Sequence, residues 1–218
     1  MSRPNGFFYV PNLVSIDEAN DLLPQIDKLS WVPLNHAVDT GRLVQHYGYE
    51  YLYNKHMVRP TRELPAILDT LRDRATSECK RLGLGDPGFN QCIVNNYKPG
   101  EGISPHTDAP VFGPIIACFT LGSVAEMQFT NQGDIYHFYP TPGSLYIMTG
   151  PTRSVWKHAM PARLSDMIVG EETARKRRIS VTFRHVPPTP YQPCSIRRLM
   201  FTLLLIGCVL AIIFMSLL

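Results

Sequence analysis

From residue 89 to residue 184 the chain runs as a succession of short apolar and aromatic segments separated by turns rich in Gly and Pro. The segments fall at Gln91–Tyr97, 115–121, 125–130, 135–139, 144–149 and Arg178–Arg184. Each is of strand length and bounded by turn residues, the pattern of antiparallel strands with short connections, which predicts a sandwich or jelly roll. The 19 prolines and 15 glycines agree with a mainly β, turn-rich chain, and 218 residues suffice for one well-buried domain plus an extra segment.

Ahead of these strands, Phe7–Val10 reads as a first strand, and Ser15-Ile16-Asp17-Glu18 fits a capping box. The helix after it carries Ile16, Ala19, Leu22, Leu23 and Ile26 at helical spacing, with Pro24 expected to kink or shorten it. A second helix is predicted over 63–82, where Leu64, Ile67, Leu68, Leu71 and Ala75 make one apolar stripe to cover a sheet. Between the helices, 42–53 alternates as a strand with Gly48 as a bulge or turn. Its cations and tyrosines read either as a half-buried hairpin or as a substrate lid that includes Arg42, His46, Tyr49 and Tyr51. The stretch 164–177 reads as a flexible loop whose basic end, Arg175-Lys176-Arg177, faces water.

Gln91–Tyr97 leads through a Pro-Gly turn to His106-Thr107-Asp108. On an extended chain, residues two apart point to one face, so an imidazole and a carboxylate stand side by side. That is two of the three ligands of a facial-triad iron site. His137 and His158 are the downstream candidates for the third; His137, inside IYHFY, reads as a structural histidine. On Arg178–Arg184, Arg178, Ser180, Thr182 and Arg184 share one face and Ile179, Val181 and Phe183 the other. If the polar face looks inward, its arginines require an anion, and a dicarboxylate fits; otherwise the face meets water. Gln91, Ile93, Asn95 and Tyr97 likewise share a face, so Asn95 and Tyr97 can donate into the same pocket.

The runs NNYKPGEGISPHTD, LGS, GPTRSVWKHAMPAR and RRISVTFR together resemble the AlkB-type Fe(II)/2-oxoglutarate-dependent dioxygenases. VQHYGYEY and NQCIVNNYKPGEGI are similar to the eukaryotic branch that includes the oxygenase domain of the animal tRNA wobble-uridine hydroxylase, whereas PHTDAPVFGP looks more like another AlkB homologue of animals. Over residues 7–187 the resemblance implies a double-stranded β-helix with an N-terminal lid. It implies iron ligands His106, Asp108 and His158; a salt bridge from Arg178 to the far carboxylate of 2-oxoglutarate, assisted by Tyr97; and contacts from Asn95, Ser180 and Arg184. The implied cofactors are Fe(II), 2-oxoglutarate and O2, and the implied reaction hydroxylates a C–H bond, or removes an N-methyl group as formaldehyde. The implied substrate is a modified nucleotide in RNA or DNA, tRNA among them. An oxygenase acting on a protein side chain, and a silent membrane-tethered binding module, are the alternatives. The RNA-recognition module and the methyltransferase of the tRNA enzyme are not seen here, nor is an oligomeric state legible.

The net charge of +3 is too slight to mark a nucleic-acid binder by itself. Five cysteines without C-x-x-C spacing predict reduced thiols in the cytosol and no zinc site. Residues 199–218 carry no charge, follow Arg197-Arg198, and as a helix would span roughly 30 Å, the thickness of a bilayer core. The expectation is a single-pass tail anchor with the catalytic part in the cytosol, at the endoplasmic reticulum rather than the mitochondrial outer membrane. The expected organisation is therefore an N-terminal strand, helix and lid region over 1–88, a jelly-roll core over 89–186, a Pro-rich linker over 187–198 and the anchor over 199–218.

Overall fold

The computed structural model describes residues 2–34 and 42–188. Its elements in chain order are β1 (Phe7–Val10), α1 (Ile16–Asp27), β2 (Val32–Pro33), β3 (Leu43–Tyr47), β4 (Tyr49–Leu52), β5 (Met57–Pro60), α2 (Ala66–Arg81), β6 (Gln91–Tyr97) and β7 (Ile103–His106). These are followed by β8 (Ile116–Gly122), β9 (Met127–Asn131), β10 (Asp134–Phe138), β11 (Leu145–Met148), α3 (Gly150–Ser154), β12 (Lys157–Met160), β13 (Ser165–Ile168), β14 (Glu171–Ala174) and β15 (Arg178–Arg184).

Seven strands form a major sheet in the order β1-β11-β8-β15-β6-β3-β2, and four form a minor sheet, β10-β9-β12-β7. All pairings are antiparallel, giving a jelly-roll-like, mainly β fold. The alternation legible in the sequence decides what each face of the major sheet meets. Val94, Phe119, Ile147, Ile179, Val181 and Phe183 turn outward and are buried with α1 and α2, through Ile26, Leu68 and Leu71. Their neighbours Tyr97, Ile116, Cys118 and Met148 turn inward against Met127, Phe129 and Met160 of the minor sheet. Phe7 of β1 fastens the two sheets, meeting Phe129 and Phe138 edge to face at 5.1 and 4.9 Å.

The first helix is capped as its sequence predicts, with Ser15 Oγ accepting from the Glu18 amide at 3.1 Å. It runs on through Pro24 to Asp27 instead of stopping short. Ala19 and Leu22 before the proline and Ile26 after it are all buried, so packing holds the helix across the missing hydrogen bond. The second helix starts at Ala66 and not at 63, because Pro65 adopts extended backbone as its N-cap. Gly48 turns the chain from β3 into β4. Its φ is +68°, and a Cβ there would lie 1.9 Å from the Asn90 carbonyl oxygen, so only glycine fits.

The expected loop over 164–177 is a β-hairpin, β13–β14. It is fixed by a buried ion pair, in which Arg175 donates through Nε and Nη2 to the two oxygens of Asp166, each at 2.7 Å. Asp166 also accepts from the Glu126 amide, and Arg163, just ahead of the hairpin, bonds Glu126 at 2.6 Å, which ties the hairpin to the residue before β9. Arg177 pairs with Asp27 of α1. Two of the three basic residues expected to face water are thus structural, because a carboxylate awaits each. Among the described residues no helix is long and apolar enough to cross a membrane. The anchor expected at 199–218, and the linker beyond residue 188, lie outside the described residues.

Candidate active site

β7 and β12 lie side by side in the minor sheet with His106 opposite His158. The two rings are 4.3 Å apart between centroids. Asp108 follows β7 by two residues, is buried, and brings Oδ2 to 3.7 Å from His158 Nε2. Arg184, from the end of β15, bonds the other oxygen, Oδ1, at 2.5 Å. Among the described residues no group of three or more His, Cys, Asp or Glu side chains is drawn together closely enough to hold a metal ion as it stands.

The protonation of this group suits a divalent cation. The Ser104 carbonyl can only accept, so the 2.8 Å bond from His106 Nδ1 requires a proton there, which makes Nε2 the ring nitrogen placed to meet a metal. Burial, with His106 beside it, lowers the His158 pKa to about 3, so this imidazole is neutral. Burial pushes the Asp108 carboxyl up, but Arg184, then His158, His106 and Arg153, more than reverse that and hold it at about 2. Two imidazoles and one carboxylate are a facial-triad donor set. His137 is elsewhere, bonded through Nδ1 to Glu126 at 2.7 Å; it is the structural histidine its strand context suggests.

The inward face of β15 and β6 carries the remaining expected residues. Arg178 stands opposite Tyr97, and Ser180 opposite Asn95, whose Nδ2 is 3.4 Å from Ser180 Oγ. Arg178 is 3% exposed. It donates to Thr120 Oγ1 at 2.9 Å and lies over the Tyr97 ring, but its Nε has no partner and no carboxylate of the described residues pairs with it. A buried cation left so is a seat for an anion.

A cavity of about 490 Å³ opens above Asp108. Its walls include His106, Asp108, Asn95 and Arg184, together with Tyr51, Tyr53 and Phe112. Of the four expected lid residues, Tyr49 and Tyr51 lie on the β4–β5 hairpin, packed with Val58 onto Val111, Phe112 and Val186. Arg42 and His46 are instead buried. Arg42 donates to the Gly102 carbonyl at 3.0 Å and lies over Tyr97. His46, on β3, has its pKa lowered to about 4, chiefly by burial, so it lines the cavity as a neutral ring. Arg59 pairs with Glu50, and Arg62 donates to the carbonyls of His46 and Ser30.

A family model described as the 2OG-Fe(II) oxygenase superfamily matches residues 6–184. The chain belongs to that superfamily. The oxygenase is 35% identical over 188 residues to the uncharacterized protein L905 of Acanthamoeba polyphaga mimivirus, covering 84% of this chain and 85% of the viral one. It is 32% identical over 207 residues to the tRNA (carboxymethyluridine(34)-5-O)-methyltransferase alkbh8 of Xenopus tropicalis, where the match takes in 87% of this chain but only 33% of the frog protein. The solved structure of OsALKBH1 shares the fold at a TM-score of 0.68 and 15% identity, covering 85% of this chain and 99% of that one. The protein is an AlkB-type 2OG oxygenase, an oxidoreductase that uses Fe(II), 2-oxoglutarate and O2.

Two residues of the oxygenase site were not assigned from sequence. Arg153 of α3 holds the loop that carries Asp108, and Phe112 lies between the Arg184 guanidinium, 4.6 Å from its ring centre, and Tyr51 at 5.7 Å. Arg153 acts on main-chain carbonyls, which leave no mark in the sequence; its place in GPTRSVWKH, ahead of His158, was the available signal.

Proposed function

We propose that the oxygenase hydroxylates or oxidatively demethylates a modified nucleotide in RNA or DNA, with His106, Asp108 and His158 holding the iron and β15 holding 2-oxoglutarate. When bound, Fe(II) with 2-oxoglutarate and O2 supplies the oxidation of a C–H bond, with succinate and CO2 as coproducts. The chain's own residues do the positioning. Arg178, beside Tyr97, takes the far carboxylate of the cosubstrate. Asn95 and Ser180 stand opposite each other on β6 and β15, between Arg178 and Arg184 along the strand, and Arg184 keeps Asp108 ionised and aimed. The observation that carries this reading is Arg178, a buried guanidinium without a counter-ion among the described residues, on the same strand as the arginine bonded to Asp108.

The support for a nucleotide substrate is the tRNA named for the frog relative, together with a cavity walled by Tyr51, Tyr53 and Phe112, on which a planar base can stack. The chain spans a third of that relative, so the rest of its activity is not carried over. Nucleosides from cells lacking the protein, compared with wild type by mass spectrometry, test the substrate. A modification that accumulates or disappears supports the reading; an unchanged nucleoside profile removes it in favour of a protein side chain.

The uncharged stretch 199–218 after Arg197-Arg198 supports a membrane span with the oxygenase domain in the cytosol. Removal of 199–218 is expected to release the protein into the soluble fraction. Carbonate-resistant retention of the truncated chain on membranes contradicts the anchor.

A further inference from the structure

Asp108 stands at the start of a segment without regular structure that runs to β8. No strand partner holds this main chain, and its buried carbonyls need donors. One side chain supplies them. Arg153 donates through Nη1 to the Asp108 carbonyl at 2.8 Å and through Nη2 to those of Ala109 and Phe112 at 2.8 and 3.1 Å. Its Nε reaches the Gly113 carbonyl at 3.2 Å. Arg153 is buried, and no carboxylate of the described residues pairs with it.

Carbonyl dipoles alone are poor company for a buried cation. The nearby Asp108 carboxylate makes the placement reasonable: Arg184 bonds its side chain directly, and Arg153 bonds its main chain from within. Arg153 also sits on α3, directly ahead of β12 and five residues before His158. The guanidinium therefore joins the loop that carries one expected ligand to the segment that carries another.

We propose that Arg153 is a positioning residue for the metal, fixing the main chain at Asp108 against the segment leading to His158 so that both side chains meet one ion. This rests on the reading of His106, Asp108 and His158 as ligands. A flat fork that serves four carbonyls at once is a task for guanidinium; a lysine, with a compact ammonium, cannot span them.

The test is the affinity of the full chain, in detergent, for Mn(II), followed by the paramagnetic resonance of free and bound ion. Arg153→Ala is expected to lose about 10- to 100-fold in Mn(II) affinity, the range for groups that orient metal ligands. Arg153→Lys is expected to recover only part of it. Millimolar guanidinium added to Arg153→Ala is expected to restore affinity, which a general loss of packing would not allow. Wild-type affinity in a folded Arg153 variant, or a loss that guanidinium leaves untouched, overturns the proposal. Should Arg153→Ala not fold, Arg153→Lys decides by the same affinity measurement. Asp108→Ala separates the two claims: if it binds Mn(II) as wild type does, the ligand reading fails; if it loses the ion while Arg153 variants keep it, only the role of Arg153 fails.

Discussion

Arg184 bonds Asp108 Oδ1 at 2.5 Å and leaves Oδ2 facing His158. The carboxylate is thus divided between a permanent cation of the protein and the site of an exchangeable one. Arg184→Met is expected to weaken Fe(II) or Mn(II) binding about tenfold or more, because the carboxylate loses both its orientation and the charge that keeps it ionised. Calorimetric titration of the metal-free protein measures this. Equal affinity in the variant contradicts the role assigned to Arg184.

Arg178→Met has two expected effects of opposite sign. The 2-oxoglutarate requirement rises about 10- to 100-fold, since a charge-assisted contact to the cosubstrate is lost. Without cosubstrate, the variant unfolds at a higher temperature than wild type, because a buried cation without a counter-ion is replaced by an apolar chain of similar length. Thermal melts with and without 2-oxoglutarate check both. A variant as responsive to 2-oxoglutarate as wild type contradicts the placement of the anion.

The alternation of Arg178–Arg184 made the two faces of β15 legible before any fold was known, because each face meets a different layer: helices outside, the minor sheet and the site inside. His106 and Asp108 were legible for the same reason. The β13–β14 hairpin was not, since its strands pair only with each other and its fastening depends on Asp166 and Arg175, whose encounter is tertiary. For His46 the sequence supports two readings, half-buried hairpin or substrate lid, because basic residues and tyrosines crowd its stretch. Its strand, β3, is in fact paired with β6 in the major sheet, which buries the imidazole and keeps it neutral. The role of Arg153 was marked only by its place ahead of His158, because its partners are main-chain atoms.

His46 gives stability a pH dependence of definite sign. Its folded pKa lies near 4 against an ordinary 6.5, so the unfolded chain takes up the proton first on acidification. The corresponding stability is fully present above about pH 6.5 and is lost as pH falls toward 4, on the order of 3 kcal/mol in all. In the metal-free protein, His46→Gln is expected to flatten this part of the stability profile measured by urea denaturation. An unchanged slope between about pH 6.5 and pH 4 contradicts the burial of a neutral ring at this position.

The most direct measurement is succinate formed from 2-oxoglutarate by the purified full chain, with Fe(II) and O2 supplied or withheld. Wild type is expected to form succinate only when both are present, and His106→Ala, Asp108→Ala and His158→Ala to form none above background. No succinate from wild type under conditions that activate another oxygenase of the superfamily, or undiminished succinate from all three variants, would contradict the iron site built from these residues.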